Sequence, residues 1–198
     1  MGSNLYHCGM NNKPSVRDRI IDTASRLFYD QGYQATGINQ IIDEASVAKS
    51  SLYQYFRTKE ELLNAYLKIA EKEYFEDLYK MINKDADPLK QILSLFDYRI
   101  NSIQQKNFKG CTFVRVVYEL PNADEETAKL VRNYKSSVKA FIGKAVEQLK
   151  NASSKKAKEQ LTNTIFYLFE GSGLESSIHK SIQPLVDAKS IVTSLIHK

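Results

Sequence analysis

The spacing of apolar residues constrains the fold most, because it follows the period of an α-helix along nearly the whole chain. Near the N-terminus, Ile20, Ala24, Leu27 and Phe28 recur at the intervals that place them on one helix face. The chain holds only eight glycines and four prolines, so few positions interrupt helices. Residues 110–120 include β-branched and aromatic runs, but the sequence offers them no partner strand. It therefore predicts an all-α fold of about nine helices.

Capping residues predict where several of these helices begin. Ser15 is expected to cap the first helix, Thr36 the second, and Thr58 with Glu61 forms a capping box that opens a longer fourth helix. The helix after Pro88 is expected to bury six apolar residues: Leu89, Ile92, Leu93, Phe96, Ile100 and Ile103. Later helices are predicted over residues 110–120, 122–150, 161–179 and from 185 onward, with a polar turn at 151–158.

Composition excludes several classes of protein. Hydrophobic residues make up 42% of the chain and charged residues 26%, which is the globular range. The apolar runs are shorter than the roughly 18 residues of a membrane span, and residues 1–16 do not resemble a secretory signal. Cys8 and Cys111 cannot form a disulfide framework, and no Cys/His spacing resembles a zinc site. We expect a cytoplasmic protein without a metal or cofactor.

Net charge permits an anionic partner without locating its binding surface. The chain carries +5 and has an isoelectric point near 9.0. Residues 1–60 hold 7 Lys/Arg and 6 Asp/Glu, a net charge of +1, and the remaining 21 and 17 give residues 61–198 a net charge of +4. A nucleic-acid-binding surface in the first part must therefore be recognised from individual side chains.

Three short helices in the first sixty residues have the spacing of a helix-turn-helix motif, with a tight turn at Ser46. In that motif the helix after the turn, here residues 48–56, lies in the major groove of DNA. Leu52 and Phe56 face the core. The outer face carries residue types that contact phosphates and base edges: Lys49, Ser50 and Tyr53.

The start of the preceding predicted helix offers further polar groups. Thr36 and Asn39 place a hydroxyl and an amide where a helix N-terminus would meet a phosphate. On periodicity alone, a helical bundle with polar residues on its outside remains the alternative to a DNA-binding domain.

Four segments between Arg17 and Tyr66 closely resemble the N-terminal domain of TetR/AcrR-family regulators. They are residues 28–38 (FYDQGYQATGI), 41–42 (II), 47–53 (VAKSSLY) and 55–63 (YFRTKEELL). The resemblance implies an operator-binding domain at residues 15–60 and a helical domain at 61–198 that dimerises and binds small molecules. Residues 1–14 are expected to be disordered or left over from expression cloning.

By position, the resemblance implies that a set of polar residues lies at the DNA: Thr36, Lys49, Ser50, Ser51, Tyr53, Tyr55 and Lys59. Thr36 and Lys59 would contact phosphates, and Gln54 is a further candidate on the same helix. The sequence departs from the family pattern at Gly37, where a second Ser/Thr is common, and at Ser46, where Gly usually makes the turn.

The remainder resembles the family less sharply. Residues 109–113 (KGCTF) with Glu119 resemble a helix found in many members, and residues 169–173 (FEGSG) resemble the penultimate helix. The resemblance implies a homodimer formed by residues 161–179 and 185–196. Small residues that suit such an interface could equally pack within one subunit: Gly171, Ser172, Gly173, Ser176 and Ser177.

Side chains of the second part are candidates to line a ligand cavity, although each aromatic could equally be core. They are Phe96, Tyr98, Cys111, Phe113, Tyr118, Phe141, Phe166, Tyr167 and Glu170. Arg115 is a helical partner for Glu119, whereas Glu170 has no basic residue three or four positions away. Glu170 is therefore expected at a cavity or interface, and the effector is expected to be lipophilic and neutral or cationic.

Together these features predict a TetR-like regulator, a repressor that binds a palindromic operator as a homodimer and is released by a small lipophilic effector. No catalytic motif is present, and Cys111 is expected to be a small buried apolar residue. An all-α cytosolic enzyme using Cys111 and a helical protein-binding adaptor are the alternatives. Neither explains the polar face of residues 49–55 together with the capping box at Thr58.

Overall fold

The helical periodicity of the sequence is realised as helix in each predicted region. The computed structural model describes residues 14–82, 87–149 and 154–197, which form nine helices and no strand. The helices are α1 (Val16–Asp30), α2 (Ile38–Ala45), α3 (Lys49–Tyr55), α4 (Lys59–Met81), α5 (Pro88–Gln105), α6 (Thr112–Glu119), α7 (Glu125–Glu147), α8 (Lys155–His179) and α9 (Gln183–Ile196). The all-α prediction is confirmed, including for the β-branched stretch that forms α6.

Side-chain caps start several of these helices. Ser15, Asp124 and Ser154 each accept a hydrogen bond from the backbone amide three residues later, at 3.1, 2.6 and 3.1 Å. Each cap satisfies one of the amides that the first helical turn leaves without a carbonyl partner. The Ser154 cap corrects the predicted turn at residues 151–158, because α8 already begins at Lys155. Residues 151–153 of that predicted turn lie outside the described residues.

The chain divides into two compact units, residues 1–63 and 64–198, and α4 contributes to both. The core of the first unit consists of apolar side chains from α1 to α4: Ile20, Ile21, Ala24, Leu27, Phe28, Ile41, Leu52, Phe56, Leu62 and Leu63. The functions assigned above to the two parts remain predictions. The predicted extension at residues 1–14 lies outside the described residues except for Pro14.

No helix within the described ranges is both long and apolar enough to cross a membrane. The second unit is built mainly from α5, α7, α8 and α9, which are neighbours in space. Its fully buried side chains include Phe96, Val138, Ile142, Ile165, Phe169 and Leu185.

Helix α5 is rotated relative to the prediction. Its buried residues are Ile92, Leu95, Phe96, Arg99 and Ile103, whereas the expected Leu89, Leu93 and Ile100 are only half-buried. Phe169 of α8 explains the rotation, because Phe96 packs edge-on against its ring at 5.3 Å between centroids. The Arg99 guanidinium carbon lies 4.2 Å from the centroid of the same ring. A cation–π contact with the Phe169 ring thus stabilises Arg99 in the interior.

Candidate DNA-binding surface and effector site

The turn at Ser46 joins α2 to α3 and sets the direction of the candidate reading helix. Ser46 has a left-handed backbone, with φ 52° and ψ 53°, and its amide donates to the Asp43 carbonyl at 3.1 Å. The Val47 amide donates to the Ile42 carbonyl at 3.2 Å, which closes the end of α2. Arg19 of α1 donates to the Ser46 carbonyl at 3.3 Å and ties the turn to the first helix.

Helix α3 has one buried side and one polar side. Leu52 has no exposed surface, and Phe56, which follows the helix, is 4% exposed. The exposed side chains are those of Lys49, Ser50, Tyr53, Gln54 and Tyr55, while Ser51 is half-buried. Lys49 is the one charged residue of α3. This surface can offer a cation, an amide and three hydroxyls to an anionic partner.

Thr36 does not behave as predicted. Its side chain is 1% exposed, and its hydroxyl donates a 2.7 Å hydrogen bond to the Gly32 carbonyl. The residue at the N-cap position of α2 is Gly37, which has an extended backbone and no side chain to form a cap. Both the predicted cap and the predicted phosphate contact at Thr36 are therefore replaced by a buried structural hydrogen bond.

The N-terminus of α2 still offers polar groups at the surface. Asn39 is exposed in the first turn of the helix. The backbone amides of residues 38–40 point out of the helix end, where the helix dipole favours an anion. Backbone amides and Asn39, without the Thr36 hydroxyl, can thus receive a phosphate oxygen at this position.

Lys59 is held at the start of α4 by an aromatic ring. Its Nζ lies 4.1 Å from the centroid of the Tyr33 ring, whose hydroxyl donates to Glu60 at 3.0 Å. The Thr58 half of the predicted capping box is present, because the Glu61 amide donates to Thr58 Oγ1 at 3.1 Å. The Glu61 carboxylate instead accepts from the Arg57 amide, at 2.7 Å, one residue before the cap. Lys59 is half-buried, so the Tyr33 ring limits where its ammonium group can reach.

An exposed ion pair joins α1 to α2. Arg26 pairs with Glu44, which also accepts a 2.9 Å hydrogen bond from Gln40. The hydrogen bond from Arg26, followed by that from Gln40, lowers the pKa of Glu44 below its ordinary value. The acidic charge of Glu44 is thus matched within the unit rather than presented alone to a DNA phosphate.

The interior of the second unit contains a cluster of aromatic rings from four helices. Phe113 stacks on Tyr134 with 3.8 Å between ring centroids. Tyr74 makes edge contacts with Tyr98 at 5.0 Å and with Tyr134 at 5.2 Å. Burial raises the pKa of Tyr74 to about 12 and that of Tyr134 well above its ordinary value, so both remain neutral phenols at physiological pH.

A charged cluster formed by Arg99, Lys135 and Glu170 lies beside these rings. Glu170 pairs with Lys135 of α7, and its Oε1 lies 3.8 Å from Arg99 Nη2 of α5. Glu170 has no basic residue three or four positions away on α8, and both of its cationic partners come from other helices. Arg99 and Lys135 are site residues that the sequence pattern did not predict. The spacing of Phe96, Arg99 and Ile103 on one helix face was the signal for the arginine.

The other predicted cavity residues differ in how far their side chains are buried. Phe96 and Phe113 are buried, whereas four are half-buried: Tyr98, Cys111, Phe141 and Phe166. Tyr118 is 76% exposed and Tyr167 is 64% exposed, so within one chain they lie on the outer faces of α6 and α8 and do not line the interior. The structure corrects the prediction at these two positions.

Two further predictions can be compared with the geometry around α6. Cys111 is half-buried at the start of α6 rather than fully buried, and Lys135 Nζ lies 3.9 Å from its sulfur. Arg115 pairs with Glu119 at 3.6 Å, which confirms the predicted helical pair.

The small residues of α8 mostly face the interior of their own unit. Ser172, Gly173 and Ser176 are buried. A Cβ atom on Gly173 would lie 3.0 Å from Arg99 Nη1, which shows how closely the two helices approach there. Gly171 is exposed, and nothing would lie within 4 Å of a Cβ atom at this position. Of the alternatives left open for these residues, packing within the subunit explains most of them.

Helices α8 and α9 expose a set of large apolar side chains. Its members are 37–64% exposed: Tyr167, Leu174 and Ile178 on α8, and Val186, Ile191 and Leu195 on α9. We call these six residues the apolar face of α8 and α9. Several large exposed apolar residues on two adjacent helices are typical of a protein-protein interface.

Comparisons with known proteins agree on one family. Residues 20–66 match the family model described as bacterial regulatory proteins, tetR family. Over 192 residues the chain is 28% identical to the HTH-type transcriptional regulator YxaF of Bacillus subtilis, covering 96% of this chain and 99% of that protein. Over 186 residues it is 24% identical to the HTH-type transcriptional repressor NemR of Escherichia coli, covering 91% and 94%. The crystal structure of reduced E. coli NemR has the same fold, with a TM-score of 0.77 at 24% identity over 91% of this chain and 96% of that chain.

Proposed function

The chain belongs to the tetR family of bacterial regulatory proteins, and we propose that it represses transcription as a homodimer that binds a palindromic operator and is released by a small molecule. The family and the matched relatives are transcriptional regulators rather than enzymes, so the enzyme alternative at Cys111 is dropped. The same finding removes the protein-binding adaptor as the primary function. Because a bacterial regulator of transcription must reach the chromosome, the proposal includes a location in the cytoplasm.

The exposed side of α3 is the observation that carries the DNA-binding proposal. Lys49 can contact a phosphate or a guanine, and Gln54 can form a bidentate pair with an adenine. The hydroxyls of Ser50, Tyr53 and Tyr55 suit phosphate oxygens. The N-terminus of α2 with Asn39 would hold a phosphate beside the groove. Leu52 and Phe56 anchor the opposite side of the helix in the core, so the reading side is presented on a rigid element.

The test uses the DNA that flanks the protein's own gene. Lys49→Ala and Tyr53→Phe should weaken binding to this fragment by several fold in a fluorescence anisotropy titration, while the circular dichroism spectrum stays unchanged. Lys129→Ala, which removes an exposed lysine from α7, is the matched control and should bind like wild type. Wild-type affinity in both α3 variants would refute the assignment of α3 as the reading helix.

The apolar face of α8 and α9 supports a homodimer as the DNA-binding form. One reading helix covers few base pairs, and a two-fold partner supplies a second half-site about 34 Å away, one turn of DNA. In a two-fold dimer, the same face of a second copy would cover these six side chains. Self-association therefore removes an exposed apolar surface and pairs the two reading helices at once.

The dimer test replaces an apolar residue of this face with a charge. Ile178→Glu should give monomers in sedimentation equilibrium and lose tight operator binding. Val117→Glu is the matched control, because Val117 is also an exposed apolar residue but lies on α6. Gly173, which the sequence suggested as an interface position, is unsuitable because it faces Arg99. If Ile178→Glu remains dimeric, the interface lies elsewhere.

Release by an effector has a thermodynamic signature. A molecule that lowers operator affinity must bind the operator complex more weakly than the DNA-free protein, by the same factor. The aromatic interior of the second unit is the proposed site, since effector pockets are mostly apolar with a few fixed polar groups. Equal affinity of an effector for the two forms would contradict release by this route.

A further inference from the structure

The charged cluster of the second unit contains more positive than negative charge. Arg99 and Lys135 both face Glu170, which is the carboxylate within ion-pair distance of them among the described residues. The neighbouring Tyr74 and Tyr134 do not balance the second cation, because burial raises their pKa values and keeps them protonated. One carboxylate thus serves two cations, and a buried charge without a full counter-charge is costly.

The geometry shows which atoms are left without partners. Arg99 is 9% exposed, and its Nη2 is buried with no hydrogen-bond partner among the described residues. The same is true of Glu170 Oε1, because the 3.8 Å between these two atoms exceeds hydrogen-bond length. A buried donor of a charged group that lacks an acceptor destabilises the protein more than a neutral one would. An additional acceptor at Arg99 would remove that cost.

Gly173 and the aromatic rings shape the surroundings of this donor. A Cβ atom on Gly173 would lie 3.0 Å from Arg99 Nη1, so glycine at this position leaves room for the guanidinium group to pack against α8. Tyr74, Phe113 and Tyr134 supply ring faces and edges close by, with Phe113 and Tyr134 stacked in parallel. Arg99 itself is held over Phe169, so its donors have a fixed direction.

We propose that this site binds the carboxylate of a small aromatic acid, with Arg99 and Lys135 as its hydrogen-bond donors and the tyrosine and phenylalanine rings around its aryl group. The ligand carboxylate supplies the second negative charge, and Glu170 stays paired with Lys135. A planar guanidinium group suits a carboxylate because it donates two parallel hydrogen bonds. The inference rests on the proposed function, in which the second unit receives the effector.

This ligand class replaces the neutral or cationic effector expected from the sequence. That expectation depended on Glu170 as a carboxylate without a partner, which would attract a cation. In the structure the negative charge of Glu170 is already shared by two cations. The positive charge that remains uncompensated in the cluster therefore favours an anionic ligand.

The experiment compares ligands that differ only in charge. Benzoate, benzamide and benzylamine, and the corresponding 1-naphthyl compounds, are titrated into the DNA-free full-length protein at neutral pH by calorimetry and thermal shift. The carboxylates should bind about tenfold more tightly than the isosteric amides, since a hydrogen bond to a charged group discriminates by this factor or more. Amides or amines that bind as tightly as the acids, or acids that fail to bind at millimolar concentration, would overturn the inference.

Variants separate a binding role from a structural one. Arg99→Gln should weaken carboxylate binding about tenfold and leave amide binding unchanged. A general loss of packing would instead weaken both ligands equally and would contradict the assignment. Glu170→Gln should tighten carboxylate binding because it removes the competing anion, and it provides the test if Arg99→Gln does not fold. Lys129→Gln, with the same change in net charge at the surface, is the control and should bind like wild type.

Operator binding without any ligand distinguishes this inference from the proposed function. If operator affinity is intact but no carboxylate is preferred, the inference about the ligand fails and DNA binding stands. If carboxylates bind with the predicted preference but leave operator affinity unchanged, the site exists and its role in release is refuted.

Discussion

Replacing Ser46 with glycine should stabilise the protein. Ser46 occupies the left-handed region at φ 52°, a conformation that side chains other than glycine, asparagine and aspartate rarely adopt. It does so because the turn between α2 and α3 requires it: the Ser46 and Val47 amides close α2, and Arg19 binds the Ser46 carbonyl. Ser46→Gly keeps all three backbone hydrogen bonds and removes the strain.

The expected gain follows from two opposing contributions. A side chain in the left-handed conformation costs about 1–2 kcal/mol relative to glycine. Glycine also makes the unfolded chain more flexible, which costs about 0.4–1 kcal/mol. Because the Ser46 side chain is exposed, no packing is lost, and the net gain is about 0.5–1 kcal/mol in the free energy of unfolding. The corresponding rise in melting temperature is about 1–4 °C for a chain of this size.

Urea denaturation followed by circular dichroism measures this difference. The control is Ser136→Gly, the same chemical change at an exposed position in the middle of α7, which should destabilise the protein by about 0.5 kcal/mol. Operator affinity should stay at the wild-type value in Ser46→Gly, since the backbone geometry that positions α3 is unchanged. A loss of stability in Ser46→Gly would refute the claim that this turn is strained.

Three further substitutions test other parts of the fold by urea denaturation. Thr36→Val should destabilise the protein by about 1–2 kcal/mol, because a buried carbonyl loses its 2.7 Å hydrogen bond; no effect would mean that this bond contributes nothing. Asp124→Ala should cost about 1 kcal/mol by removing the cap of α7, and an unchanged midpoint would contradict that role. Gly173→Ala should destabilise the protein by about 1 kcal/mol, because the strain of a Cβ atom 3.0 Å from Arg99 exceeds the gain in helix propensity. Gly143→Ala is the control and should stabilise the protein by up to about 1 kcal/mol. Equal effects of the two substitutions would contradict the close approach at Gly173.

Features set by neighbouring residues were predictable from the sequence. The caps at Ser15 and Thr58 depend on contacts three residues away, and both are present. The buried side of α3 follows from the positions of Leu52 and Phe56 alone, which also determines which side chains of α3 are exposed. The sequence alone therefore predicts which side of α3 the fold leaves exposed.

Features that depend on packing between helices were not predictable. The position of Thr36 in the sequence is typical of an N-cap, but its hydroxyl donates a hydrogen bond to the carbonyl of Gly32 instead. Tyr118 and Tyr167 are aromatic like their neighbours, yet they lie on outward-facing sides of their helices.

The cluster of Arg99, Lys135 and Glu170 in the second unit was not predictable from the sequence for the same reason. Arg99 enters the interior because Phe169, seventy residues later, provides a ring for its guanidinium group. Lys135 meets Glu170 from a different helix, so spacing along one helix could not reveal the pair. A charge balance of this kind becomes visible only when the side chains of separate helices are placed together.

The salt dependence of operator binding tests the central claim most directly. Each phosphate contact releases counterions, so the slope of log affinity against log salt concentration reports the number of such contacts. For a dimer that presents two α3 helices, Lys49→Ala should reduce the magnitude of this slope by about two, one phosphate for each subunit. Lys129→Ala should leave the slope unchanged. An identical slope for Lys49→Ala and wild type across the salt titration would contradict the claim that α3 lies on the DNA.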